Sequence, residues 1–213
     1  RYSAGDLRGK ARCKVALQRH FHLEENPAVP LFGVVSRLAS QKGLDLLAEA
    51  LPSVMERMEI QLVLLGSGDR RLENTFQWAA QAYRGRCCTQ IGFDGKLARL
   101  IQAGSDFFVM PSRSEPCGLT QMYAMRYGTL PIVRATGGLV DTVQNFEEGQ
   151  PRGTGFVFHA AAAGALADTL GCTQGKVFEL ASGSEPGANG VRFIPALSGA
   201  MAPRWNDLMR GAF

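Results

Sequence analysis

Unbroken apolar runs too short for long helices constrain this chain more than any other feature. Leu31-Phe32-Gly33-Val34-Val35 is the strongest, and residues 60–65, 106–110 and 130–133 repeat its character. Runs without polar alternation suit strands buried on both faces, the condition of a parallel sheet covered by helices. Weaker runs at 87–91 and 156–158 read as further strands. Helical patterns fill the intervals. Leu44, Leu47, Ala48 and Leu51 stand at i, i+3, i+4 and i+7, and Leu72, Phe76, Ala79, Ala80 and Tyr83 form a second stripe. Further helices are expected around 97–101, 119–127, 138–143 and 160–170. Strand and helix thus alternate through short glycine loops, which predicts an α/β fold with a doubly wound, Rossmann-like parallel sheet. Pro52 is expected to bend or end the first of these helices. Gly104 is read as the glycine beyond a helix C-terminus.

A chain of 213 residues can bury a sizeable core. Residues 1–28 are polar and basic and read as a lead-in helix or inter-domain segment. Residues 29–170 form the Rossmann-like domain. In 171–213 the pattern fails, Ser182-Gly183-Ser184-Glu185-Pro186-Gly187 being loop chemistry and 205–213 having the look of a short helix. The net charge is only +4, and the Lys and Arg residues are scattered rather than striped, which argues against a nucleic-acid partner. No apolar run approaches the ~20 residues of a membrane helix. The five cysteines contain no Cys-x-x-Cys pair, so neither a zinc site nor a disulfide framework is expected, and reduced thiols in a cytosol-like compartment are. The chain begins at Arg1 without an apolar leader, so it reads as a fragment or processed product with any targeting signal upstream.

In an open α/β sheet, ligands bind outside the carboxyl ends of the strands. Arg37 and Lys42 lie in the loop after the first strand, five positions apart. Taken alone, such a pair is most often two solvated surface cations. On the same edge, however, the chain should place Glu115, Gly118 and the Gly137-Gly138 turn. A glycine turn feeding a helix after a parallel strand presents free N–H groups to a phosphate. Two such turns suggest a bound anion with a sugar-like group beside it. For Glu115 two readings stand open, a first-turn carboxylate favoured by the helix dipole or an acceptor for sugar hydroxyls. Cys117 has no neighbouring His to activate it, and such a cysteine is more often packed than nucleophilic. His20, His22 and His159 are scattered, and Ser36 and Ser112 lack a nucleophile-elbow context. Phe93 has two uses, stacking on a nucleobase or, more commonly for such an aromatic, filling the core. Gly66-Ser67-Gly68 is an incomplete dinucleotide fingerprint.

Several motifs in order resemble one family. Val35-Ser36-Arg37-Leu38…Gln41-Lys42-Gly43, Leu64-Leu65-Gly66-Ser67-Gly68-Asp69, Pro111-Ser112-Arg113…Glu115-Pro116-Cys117-Gly118-Leu119-Thr120-Gln121 and Arg126-Tyr127-Gly128-Thr129…Thr136-Gly137-Gly138-Leu139…Asp141-Thr142-Val143 are similar to bacterial glycogen synthase and plastid starch synthase. The resemblance covers roughly residues 1–158. Related retaining glycosyltransferases carry a second Glu eight residues after the first, and here that position is Tyr123, which favours the glycogen/starch branch.

The resemblance implies a GT-B architecture, two Rossmann-like domains with the active site between them. This chain would be the C-terminal, nucleotide-sugar-binding domain, and the N-terminal Rossmann-like domain would be missing from it. The implied reaction is retaining glucosyl transfer from ADP-glucose to the non-reducing end of an α-1,4-glucan. No cofactor and no metal are implied, ADP-glucose being the donor substrate. Arg37 and Lys42 would neutralise the diphosphate, and Glu115 would hold glucose hydroxyls. The amides near Cys117, Gly118 and Leu119 would contact glucose and phosphate, and Thr120 would lie near the ribose-phosphate. Phe93, where the family commonly has Tyr, would stack on adenine. The Gly137-Gly138 turn would line the same cleft. Implied locations are the bacterial cytoplasm or the plastid stroma. Ser114 and Gly95 depart from the family's usual aromatic and Glu. Two other functions stand beside this one, a GT-B enzyme using another donor such as a UDP-sugar and a non-catalytic sugar-nucleotide-binding module.

Overall fold

A computed structural model describes Tyr2 and residues 8–147 and 153–173. The expectations for most of the tail, including a helix at 205–213, lie outside the described residues. The elements are α1 (Arg8–His20), β1 (Leu31–Val35), a 3-10 turn (Ser40–Lys42), α2 (Leu44–Arg57), β2 (Gln61–Gly66), α3 (Arg70–Ala82) and β3 (Cys87–Ile91). They continue as α4 (Gly95–Gly104), β4 (Phe107–Met110), α5 (Thr120–Arg126), β5 (Leu130–Arg134), α6 (Gly138–Thr142), β6 (Phe156–Phe158) and α7 (Ala163–Gly171). All six strands pair in parallel, in the order β3-β2-β1-β4-β5-β6. This is the order of a doubly wound sheet, whose switch point lies between β1 and β4.

Successive strand residues point to opposite faces, and both faces are covered, which is why the strand sequences are apolar without alternation. Phe32, Val34, Leu62, Leu64, Phe107 and Val109 meet helices α2, α3 and α7 on one side. Leu31, Val63, Leu65 and Phe108 meet α1, α4 and α5 on the other. Among the described residues no helix is long and apolar enough to cross a membrane.

Two local expectations meet a different outcome. Helix α2 does not end at Pro52 but continues through it. An interior proline costs roughly 3 kcal/mol. Leu51, Val54 and Met55, each at most 2% exposed, outweigh that, since each fully buried aliphatic side chain is worth about 1.5–3 kcal/mol. Gly104 is the last residue of α4, followed by an extended Ser105, and is not left-handed. A Cβ there would lie 2.6 Å from the Cys13 carbonyl oxygen and 2.9 Å from Leu17 Cβ. Gly104 therefore serves the close approach of α1 to α4.

Helix α1 docks firmly on the sheet layer. Leu17 is fully buried. Lys14 Nζ pairs with Asp106 Oδ2 at 2.7 Å and donates to the carbonyls of Pro27 (2.9 Å) and Val29 (2.8 Å). Lys10 Nζ donates to Ser105 O (2.7 Å), Thr129 Oγ1 (2.8 Å), Ala103 O (3.2 Å) and Tyr127 O (3.3 Å). Its stem is half-buried, but its ammonium sits among these acceptors, and burial lowers its pKa from 10.5 to about 8. Both lysines act at the amino ends of the strands, opposite the ligand edge.

Candidate functional site

The loops leaving the carboxyl ends of β1 and β4 lie back to back at the switch point. Gly43, left-handed at φ 66°, closes the 3-10 turn that carries Lys42. A Cβ on Gly43 would come within 1.9 Å of the Pro111 carbonyl oxygen, so only glycine permits this approach. Across the seam, Arg113 N donates to Gln41 O at 2.9 Å. The Arg113 guanidinium bonds Ser40 O at 3.1 Å and pairs with Asp45.

These contacts bring Lys42 Nζ to 2.6 Å from Glu115 Oε2. Ser112 Oγ donates to the same oxygen at 3.3 Å, and Glu115 is only 9% exposed. Arg37, on the same loop as Lys42, is exposed, and its side chain has no hydrogen-bond or ion-pair partner among the described residues. Arg37, Lys42, Glu115, Gly118, Leu119 and Thr120 line one cavity of about 200 Å³, open to solvent beside β1 and β4. Six of the sequence-predicted residues are thereby brought together.

The other four lie outside its lining, each for a definable reason. Gly137 has φ 48° and ψ −139°, and a Cβ there would fall 2.0 Å from the Glu115 carbonyl oxygen. A Cβ on Gly138 would fall 2.4 Å from the Cys117 carbonyl oxygen, and Gly138 N donates to Glu115 O at 3.1 Å. The turn packs against the Glu115 loop and buttresses it. Cys117 is exposed on the rim, with Sγ 3.8 Å from Gly118 O. Phe93 follows β3 on the same edge, two strands from β1, and is 91% exposed. It fills no core.

The Gly66-Ser67-Gly68 turn also has a structural use. Leu38 N donates to Ser67 O at 2.9 Å and Asp69 N to Leu38 O at 2.7 Å. A Cβ on Gly68 would lie 2.4 Å from Leu38 O. The glycines let this turn clasp the loop carrying Arg37.

Sequence reasoning missed two residues that shape the site. Arg134, at the end of β5, donates from Nε to Ser112 O at 3.0 Å and from its terminal nitrogen to Arg113 O. One guanidinium fork thus holds two consecutive carbonyls before Glu115. A basic residue ending a strand on the ligand edge was the available signal. Gln121 is buried in α5, and its Nε2 bonds Gly118 O (2.8 Å), Thr142 Oγ1 (3.0 Å) and Cys117 O (3.3 Å). It stabilises the left-handed Gly118 (φ 72°). No local pattern announced it.

Chemically, the cavity offers a free guanidinium, an ammonium shared with a carboxylate, and the first N–H groups of α5, which lack intrahelical acceptors. That set suits an anion joined to a hydroxyl-bearing group.

Comparison with known proteins agrees in kind. The model of the family described as glycosyl transferases group 1 matches residues 18–171. The chain is 57% identical over 157 residues to a glycogen synthase of Anaeromyxobacter dehalogenans, covering 74% of this chain and 32% of that protein. It is 53% identical over 171 residues to glycogen synthase 1 of Geobacter metallireducens, covering 80% and 34%. The catalytic domain of starch synthase IV from Arabidopsis thaliana, solved bound to ADP and acarbose, superposes with a TM-score of 0.75 at 32% identity, covering 91% of this chain and 41% of that one. The chain therefore spans about a third of the length of the curated relatives it matches.

Proposed function

The chain belongs to the glycosyl transferases of group 1, and from that premise we propose that it is the donor-binding half of a glycogen- or starch-synthase-type enzyme. The reaction is retaining transfer of glucose from ADP-glucose to the non-reducing end of an α-1,4-glucan. A second Rossmann-like domain, outside this chain, closes the cleft and brings the acceptor. The observation that carries this reading is the convergence of Arg37, Lys42 and Glu115 on one cavity at the switch point, in a chain 57% identical to a glycogen synthase.

The chemistry follows from the placement. As the glycosidic bond to phosphate breaks, positive charge grows on the anomeric carbon and negative charge on the leaving diphosphate. Arg37 and Lys42 meet the diphosphate, and the amides around Gly118 and Leu119 assist them. Preorganised charges aimed where charge develops lower the barrier without reorganising. Glu115, held by Ser112 and Lys42, accepts from glucose hydroxyls and fixes the sugar. Thr120 lies toward the ribose-phosphate. Phe93, exposed two strands away, stands roughly 10 Å along the sheet edge from the β1 loop, by the ~4.8 Å strand spacing. That is the reach of a base whose diphosphate occupies the cavity. Nothing in this scheme calls on a metal, and the retaining step needs no cofactor beyond the donor itself.

The test is glucosyl incorporation into glycogen by the complete protein, with ADP-glucose and UDP-glucose compared. ADP-glucose is the expected donor. Lys42→Ala and Glu115→Ala should each lower kcat by about 10²-fold or more, the usual loss for one group of a preorganised site. A preference for UDP-glucose would overturn the donor assignment, and normal turnover in either variant would overturn the site.

A further inference from the structure

Lys42 and Glu115 sit in one cavity with opposed tasks. The Lys42 side chain is 24% exposed and that of Glu115 10%, and their charged ends meet at 2.6 Å. Any anion that recruits Lys42 therefore approaches a carboxylate in a partly dehydrated setting, where charges interact more strongly than in water. The backbone of Glu115 is pinned, and its carboxylate also accepts from Ser112 Oγ at 3.3 Å. Its carbonyl accepts from Gly138 N at 3.1 Å, Gly137 packs against that same carbonyl, and Arg134 grips the two residues before Ser114. Lys42, on a flexible four-carbon stem, is the partner that can turn.

We infer that Glu115 discriminates between the intact nucleotide sugar and the nucleoside diphosphate left after transfer, weakening the site's hold on the diphosphate alone. This rests on the reading of the cavity as the donor site. An intact donor supplies sugar hydroxyls that satisfy the carboxylate, so its charge is compensated when Lys42 turns to the phosphates. A bare nucleoside diphosphate takes Lys42 and leaves Glu115 buried, charged and without a cation. The like-charge term then opposes retention of product, and the same carboxylate that positions the sugar promotes release once the sugar has gone. Arg37, exposed and without a side-chain partner among the described residues, faces no such competition and supplies the steady part of the attraction.

The experiment is calorimetric titration of the complete protein with ADP, and separately with ADP-glucose in the absence of glucan. Glu115→Gln keeps the shape and removes the charge. ADP affinity should rise about tenfold, a typical coupling between close charges, while ADP-glucose gains less or loses. In a Lys42→Ala background the competition for the ammonium is gone, so the gain in ADP affinity from the same change should shrink to what direct carboxylate–phosphate repulsion supplies. Glu115→Ala provides the same comparison if Glu115→Gln melts early. Unchanged or weaker ADP binding in both Glu115 variants, with Lys42→Ala and Arg37→Ala still weakening ADP, would overturn this inference and leave the site standing. ADP binding indifferent to both Lys42 and Arg37 would instead remove the donor-site reading, and this inference with it.

Discussion

Gly137→Ala isolates the mechanical support of Glu115. Gly137 has φ 48° and ψ −139°, a conformation that L side chains rarely adopt and that costs about 1–3 kcal/mol to impose. The added Cβ would lie 2.0 Å from the Glu115 carbonyl oxygen, against an ordinary carbon–oxygen contact of about 3.3 Å. Both sides of the clash are backbone, so no rotamer relieves it, and the two segments must part by roughly 1 Å. Separation also strains the Gly138 N to Glu115 O hydrogen bond, worth about 1 kcal/mol. The total of about 2–4 kcal/mol leaves a domain of ordinary stability folded. Activity should suffer more, because a misplacement of about 1 Å at a reacting group costs on the order of 10²-fold in rate. The assay pairs kcat for glucosyl transfer by the complete protein with thermal melting of the same sample. Gly164→Ala is the control, since its Cβ meets nothing within 4 Å. It should leave activity unchanged and melting equal or slightly higher. Full kcat in a destabilised Gly137→Ala protein would refute the claim that this turn sets Glu115, and unchanged melting would refute the steric argument itself.

Arg134→Lys keeps the charge but lacks the fork that spans the Ser112 and Arg113 carbonyls; kcat should fall about tenfold through looser placement of Glu115, with KM for glucan steady, and Arg134→Met should fall further. An equal loss in kcat and in glucan KM would show a general loosening instead. Lys10 provides a pH test away from the site. Its pKa is lowered from 10.5 to about 8, so between those values the unfolded chain binds more protons and stability contributed by this group rises with pH. Below about pH 8 the burial penalty is fully present, up to about 3 kcal/mol at ~1.36 kcal/mol per pKa unit. Buried Cys87, its thiol pushed from 9.0 up to about 12, acts in the opposite sense as pH rises above 9. The measurement is therefore the urea-unfolding difference between parent and Lys10→Met, which should grow in the parent's favour from pH 8 toward pH 10. A pH-independent difference would count against a strained Lys10 ammonium.

Much of the fold was legible in the chain itself. Strands at 31–35, 87–91 and 156–158 coincide with β1, β3 and β6, because a short apolar run set off by proline, glycine or polar residues is a local signal of a strand, strongest for the buried β1 and weakest for the edge strand β3. The alternation of strand and helix, with short connections, leaves few topologies open, and the carboxyl-edge rule then puts Arg37, Lys42 and Glu115 on one side of the sheet. Local pattern misjudged Gly104 and did not show that α2 continues past Pro52, outcomes that depend on what packs against them. Periodicity reports which face of an element is apolar, and it carries no information about which other element that face will meet. The Lys42–Glu115 pair joins residues 73 positions apart, and the Arg134 fork and the Gly137 buttress are likewise contacts between segments that only the sheet order brings together. Residue types and their order along the chain determined that two cations and a carboxylate share one edge of the sheet; the close approach of three glycine-bearing loops, which depends on tertiary packing, decided that Lys42 and Glu115 meet in one cavity there.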